Sequence, residues 1–314
     1  MRAIQIDAYG DASQLQLKED APIPLCGDED LLVSLVAAGV NPVDWKMRSG
    51  AMAQMLNKPF PITLGWDGAG VVIAVGRKVT QFKAGDEVFF YAEFARGGCY
   101  AQFVAVAASQ AARKPSSLTF ATAAAMPTPC QAAWTALIEI AQLQAGQQVL
   151  IHGGAGAVGS AAIQLARWRG AEVSTTATAA GLDWVRSLGA QTVIDYREQK
   201  FQEQVREMDV VLDTLGGATQ EASWATLKRG GLLISTTEPP SQERAASLGL
   251  QARFVFTQGR GEVLQSLADL AGSGQLRVQI GQEFALADAA LAHRLGESGK
   301  AKGKMVLHID PPHP

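Results

Sequence analysis

The chain has 314 residues, 47% of them hydrophobic and 18% charged, and 27 basic against 30 acidic side chains give a net charge of −3. That composition fills a full core and excludes disorder, and the length points to two domains. With no basic block and no apolar run near the roughly 20 residues that cross a bilayer, nucleic acid and membrane are poor main partners.

The amino terminus, MRAIQIDAYG, lacks the apolar segment of a signal peptide. Residues 1 to about 115 read as β-rich, with strands in RAIQIDA, LQLKED, LLVSLVAAGV, AGVVIAVG, DEVFFYA and YAQFVAV, broken by Gly and Pro. Cys26, Cys99 and Cys130 are odd in number and far apart, as expected of reduced thiols in a cytoplasmic protein. Next, KPSSLTFATAAAMPTP places Ser117 or Thr119 as the cap of a helix that Pro127 and Pro129 end or kink. From there to about residue 260, strands alternate with helical patterns: QVLIHG, EVSTTAT, TVIDY, DVVLDTLG, GLLISTT and RFVFTQ. Such alternation predicts a doubly wound parallel sheet with right-handed crossovers. A helix over Gly261–Gly272, then LRVQIGQEFAL, another helix and KMVLHI complete the chain. The last strands are expected to return to the first domain, making it discontinuous, with the active site between the two domains.

The stretch IHGGAGAVG lies between the strand QQVLI and the helical SAAIQLARWRG. Gly154, Gly156 and Gly159 stand in the G-x-G-x-x-G register of a dinucleotide loop. In that reading the first glycine makes the tight turn, the second meets a pyrophosphate with bare backbone, and the third packs helix on strand. The N–H groups around Ala157 and Val158 then open the helix toward the phosphates.

These parts, with AAGVNPVDWKMRSG, LGWDGAGVVIAVG, FKAGDEVF, RSLGAQTVIDY, VVLDTLGG and GKAKGKMVLHI, resemble the medium-chain dehydrogenase/reductase superfamily. Within it the chain is similar to the zinc-free quinone oxidoreductase group that includes zeta-crystallin. The resemblance implies an α/β Rossmann-type domain, 121–272, inserted in a discontinuous β-rich GroES-like catalytic domain, 1–120 with 273–314. It departs at Ala157, where that group often has another glycine. Zinc members carry a cysteine near Asn41 or Pro42 and a His-Glu pair after Leu64-Gly65. Here those places hold Asn41, Pro42, Trp66 and Asp67, and the four-cysteine loop of a structural zinc is missing. A catalytic zinc needs about three protein ligands, and His152, His293, His308 and His313 are scattered without ligand spacing, so no metal is expected.

The resemblance implies site roles for NPVDWK. Asn41 would donate its amide to an oxyanion or contact the cofactor ribose. Lys46 would bind the nicotinamide ribose or bring charge to a substrate carbonyl, as in plant alkenal reductases, and Asp44 would orient either. The plain alternative is a turn at Asn41-Pro42 with Asp44 capping the helix. Trp66 lines the substrate pocket or packs in the core. Thr135, Tyr196, Asp213, Leu215 and Gly216 match cofactor-side positions, while Lys302 and Lys304 read as a solvated face.

Without a Lewis acid, alcohol oxidation loses its usual route to an alkoxide. A quinone or an α,β-unsaturated carbonyl accepts hydride directly and needs only proximity and a donor for its oxygen. The expected activity is therefore an NADPH-dependent reductase of such acceptors. An enoyl-thioester reductase and a non-enzymatic NADPH-binding sensor are the alternatives. NADPH is favoured over NADH because the second strand of the unit ends in Thr176, Ala177 and Thr178, with no acid to hold a ribose 2′-hydroxyl. The apolar strand ARFVFTQ, at the sheet edge, predicts a homodimer.

Overall fold

The computed structural model describes residues 1–56 and 58–310. The chain divides into two compact units. One comprises Met1–Thr128, Gln258–Gly274 and the chain from Val278 onward; the other comprises Pro129–Thr257 with Gln275–Arg277.

Two helices move the boundaries away from the expected 121 and 272. Phe120–Ala124 buries Ala121, Ala123 and Ala124 and packs on the strands Asp30–Val40 and Asp67–Val75. Thr119 caps it by accepting the Thr122 N–H at 3.1 Å. Pro127 does not end or kink this helix; it opens the next one, Pro127–Trp134, where its missing N–H costs nothing. The helix Gly261–Gly272 turns Val263, Leu264, Leu267 and Leu270 to one side and packs on the strand Ala111–Arg113. A Cβ on Gly261 would lie 2.4 Å from the Ala111 carbonyl oxygen, so only glycine starts a helix there.

The first unit is built on a mainly antiparallel sheet in the order Ile280–Ala285, Lys304–His308, Asp30–Val40, Asp67–Val75, Glu87–Tyr91, Ala111–Arg113. Phe103–Ala107 pairs with the first half of Asp30–Val40, and Lys304–His308 with its second half. The register sets Gly39 opposite Asp67 and Val40 opposite Met305. This brings three distant stretches, Val40-Asn41, Asp67 and Lys304, to one end of the sheet.

The second unit holds six parallel strands in the order Thr192–Asp195, Glu172–Ala177, Gln148–Ile151, Met208–Asp213, Leu227–Ser235, Gln251–Phe254. In chain order that is 3-2-1-4-5-6, the doubly wound arrangement, as expected. Val149, Leu150 and Ile151 are buried, as the continuous apolar run requires of a central strand. The edge strand is shorter than ARFVFTQ, ending its ladder at Phe254.

Candidate active site

The winding of the parallel sheet reverses between Gln148–Ile151 and Met208–Asp213, and the glycine loop leaves the carboxyl end of the first of these strands. Sheets of this type bind ligands at that switch point. Gly153 takes φ of +65°, so the turn rests on Gly153 and not on Gly154 as its register implied. Gly154 is a packing glycine: a Cβ there would lie 2.1 Å from Thr175 Oγ1. Gly159 does pack helix on loop, since its Cβ would meet the Gly153 carbonyl at 2.3 Å. Gly156 is exposed, and the only atom within 4 Å of a Cβ there is the Gly153 oxygen at 3.1 Å. Its face is bare. It precedes the helix Ala157–Trp168, whose first N–H groups, from Ala157, Val158 and Gly159, have no acceptor within the helix. Bare backbone before a 12-residue helix fits a pyrophosphate.

The other cofactor candidates divide. Thr178 follows the strand Glu172–Ala177, and Tyr196, 49% exposed, donates its N–H to Ala177 O at 3.3 Å. Both therefore stand at the end of the second strand. Thr176 does not offer its hydroxyl there: it is buried, and its oxygen faces His152 Nδ1 and the Gly153 N–H. Asp213 is also corrected. Its Oδ1 accepts the N–H groups of Leu215 and Gly216 at 2.9 Å, and its Oδ2 accepts from Ser235 Oγ and Gln220 Nε2. This carboxylate shapes a turn on which Leu215 is exposed and Gly216 buried. Thr135 opens a π-helical turn, Thr135–Ile140, in which Ala141 N–H reaches back to Ala136 O. Such turns recur at functional sites.

In the first unit Asn41, Asp44 and Lys46 separate. Asp44 is buried, and its Oδ2 accepts the Asn41 N–H and the Tyr100 hydroxyl, both at 2.7 Å. That bond to Asn41 is the helix-capping role. Asn41, 3% exposed, gives an amide hydrogen to Asp67 Oδ2 at 2.9 Å and receives the Lys304 ammonium on its Oδ1. Lys304, also buried, bonds the Val40 carbonyl at 2.8 Å and lies 3.6 Å from Asp67 Oδ2. Asp67 Oδ1 accepts both the N–H and the hydroxyl of Thr128. Asn41 and Asp44 thus frame the end of the sheet and are not open donors. Lys46 lies exposed on the helix Pro42–Arg48. Trp66 does not line a surface pocket: it is 1% exposed, stacks on Phe94 and donates Nε1–H to its carbonyl.

From Asp44 the polar contacts continue through Tyr100 to His293, Arg48 and Glu297. Arg48 can only donate, so His293 Nδ1 accepts, Nε2 carries the hydrogen, and that hydrogen faces the Tyr100 oxygen. Burial pushes His293 down to about 3, helped by Arg48, and pushes Asp44 up to about 7. The two act oppositely on stability. Asp44 favours the fold below 3.8 and loses that contribution as pH rises to about 7; His293 loses its contribution as pH falls below 6.5. Asp44→Asn removes the first effect. Urea midpoints measured from pH 4 to 7 are therefore expected to climb more steeply in the variant than in wild type, and parallel profiles would contradict the burial argument.

The alcohol dehydrogenase GroES-like domain model matches residues 27–116, and a zinc-binding dehydrogenase model matches residues 188–307. A 2-methylene-furan-3-one reductase of Solanum lycopersicum is 34% identical over 99% of this chain and 80% of its own. The chain belongs to the medium-chain dehydrogenase/reductase superfamily, in its zinc-free quinone oxidoreductase group. The structure of the quinone oxidoreductase from Coxiella burnetii superposes with a TM-score of 0.92, at 34% identity, over 99% of each chain. That of Escherichia coli quinone oxidoreductase complexed with NADPH gives 0.89 at 29% identity, over 98% of this chain and 100% of that one.

The zinc-binding description of one model does not fit the donors present in this superfamily member. Asn41 and Asp67 are bonded to each other and to an ammonium, which a metal ion would have to expel. Among the described residues no three His, Cys, Asp or Glu side chains group as metal ligands; His313 lies outside them. Lys304 is what the sequence reading missed. Its signal was its place as the first residue of an apolar strand, KMVLH, where a solvated lysine has no reason to be buried.

Proposed function

We propose that this superfamily member reduces quinones or α,β-unsaturated carbonyls, with NADPH as hydride source. The observation that carries the reading is the closed set Asn41, Asp67 and Lys304. These side chains are bonded to one another and are not free to hold a Lewis acid there, which an alcohol substrate needs and an activated alkene does not. NADPH supplies hydride when bound, and the residues that would hold it are the backbone from Gly154 to Gly159, with Thr178 and Tyr196 on the ribose-phosphate side. Lys46 carries an exposed ammonium on the helix that Asn41 caps and would stabilise charge on the acceptor oxygen or bind the ribose. Asn41 and Asp44 hold the start of that helix. The second strand itself ends in Thr176 and Ala177, followed by Thr178, without the acid that would hold a ribose 2′-hydroxyl.

NADPH consumption with 1,4-benzoquinone, 9,10-phenanthrenequinone, an alkenal and crotonyl-CoA, each with and without a chelator, tests the reading. Turnover of a quinone or the alkenal, faster with NADPH than NADH and indifferent to chelation, is expected. Turnover confined to crotonyl-CoA would make it an enoyl-thioester reductase, and none at all would leave a binding protein.

We further propose a cytoplasmic homodimer. All three cysteines are free thiols, and no helix among the described residues is long and apolar enough to cross a membrane. Gln251–Phe254 ends the parallel sheet with Phe254 39% exposed, an edge that pairing with its copy would cover. Sedimentation is expected to give twice the chain mass of 33.1 kDa at micromolar concentration; a monomer there refutes the edge pairing.

A further inference from the structure

Beneath the glycine loop lies a histidine with no part in the reading above, and its hydrogen bonds can be assigned completely. His152 is fully buried between the end of the strand Gln148–Ile151 and Gly153. Its Nε2 is 2.9 Å from Ser223 Oγ and its Nδ1 3.2 Å from Thr176 Oγ1. Ser223 gives its own hydrogen to Thr219 O at 2.6 Å, so it accepts from the ring, and Nε2 carries the hydrogen. Nδ1 is then an acceptor, and the Thr176 hydroxyl is its donor. The Thr176 oxygen in turn accepts the Gly153 N–H at 3.2 Å. One directed chain therefore runs from Gly153 through Thr176, His152 and Ser223 to Thr219. The Phe201 ring covers the imidazole at 4.5 Å, and burial pushes it down to about 4, so it stays neutral at pH 7.

The elements joined by this ring are those that surround the phosphate position. Gly153 is the turn residue of the loop, Thr176 lies near the end of the second strand, and Ser223 belongs to the helix Gly217–Ser223 that follows Leu215. The Thr214 hydroxyl adds a bond to the His152 carbonyl at 2.8 Å. We infer that His152 is a positioning residue for the phosphate loop: it holds Gly153 and the 213–217 turn in the conformation that receives a dinucleotide pyrophosphate. The inference rests on the dinucleotide reading of that loop. It has a distinctive consequence. Pyrophosphate is common to NADPH and NADH, so a defect at His152 weakens both alike, whereas a defect at Thr178 or Tyr196 changes their ratio.

Titration of NADPH and NADH into wild type, His152→Ala, His152→Gln and Thr176→Val, with thermal unfolding in parallel, tests it. His152→Ala is expected to weaken both cofactors about tenfold, the scale of one lost buried hydrogen bond, with their ratio unchanged. The KM for NADPH should rise by more than kcat falls. Thr176→Val should reproduce the loss and carry the comparison if the alanine variant does not fold. The glutamine amide can still donate to Ser223, so His152→Gln should recover part of it. Wild-type affinity in a variant that merely melts earlier would make His152 core filling and overturn the inference. A loss confined to NADPH would overturn it as well. Wild type that binds neither dinucleotide refutes the reading of the loop itself, a separate result seen before any variant is compared.

Discussion

Lys304→Met is expected to destabilise the protein by about 3–5 kcal/mol, the range for removing one member of a buried ion pair. The cost comes from what is left behind. Asp67 is fully buried, and burial already pushes its carboxyl up against the pull of Lys304, Thr128 and Asn41. Without the ammonium, its Oδ2 and Asn41 Oδ1 lose a shared cation, and the Val40 carbonyl loses a donor. Urea unfolding of Lys304→Met, Asp67→Asn and the double variant measures this as a cycle. The double variant should be more stable than the sum of the single losses, because the uncompensated charge is gone. Additive losses would show that the three side chains do not act as a unit.

The second large effect is expected in the glycine loop, where neighbouring glycines should fail differently. In Gly159→Ala the new Cβ meets Gly153 O at 2.3 Å and Gly154 Cα at 2.8 Å, all backbone that cannot swing aside. Overpacking of this kind costs about 1–3 kcal/mol, and the loop must shift to relieve it, so both the unfolding midpoint and NADPH affinity should fall. In Gly156→Ala the Cβ meets one backbone atom, Gly153 O at 3.1 Å, so the midpoint should fall less than in Gly159→Ala while affinity falls by roughly ten- to a hundredfold. If Gly156→Ala bound NADPH as tightly as wild type, the phosphate would not lie on that backbone.

The parallel sheet was legible because its strands announce themselves locally: QVLI, TVID and DVVLD are short apolar runs before turn residues, and each became a ladder in the expected order. The helix Gly261–Gly272 was found, but not its allegiance. Its apolar face reads the same whichever sheet it covers, and only the approach of Gly261 to Ala111 distinguishes them. Side-chain direction caused the remaining errors. Thr176 and Thr178 look alike in TTAT, yet Thr176 is still inside the strand, bonded to His152, whereas Thr178 lies past its last residue, Ala177. Asp213 looked like a ligand-binding acid, but it is buried, with Oδ1 bonded to the turn and Oδ2 to Ser235 and Gln220. Asn41, Asp67 and Lys304 come from three separate stretches, and their convergence depends on strand register, which no local pattern carries.

The interrupted path of the first unit also sets an order for its assembly as the chain emerges from the ribosome. All six strands of the parallel sheet lie within Gln148–Phe254, so that sheet has its full complement before Lys304–His308 is made. The antiparallel sheet does not. The second half of Asp30–Val40 has Lys304–His308 as its outer neighbour, and that strand is translated only after the whole parallel sheet. Until then Ala37 to Val40 present a bare edge, and Asp67 waits without its counter-ion. A nascent chain of this topology carries an uncovered, sticky strand throughout the synthesis of the parallel sheet. The strand Lys304–His308 acts as the latch that closes a sheet begun with Asp30–Val40.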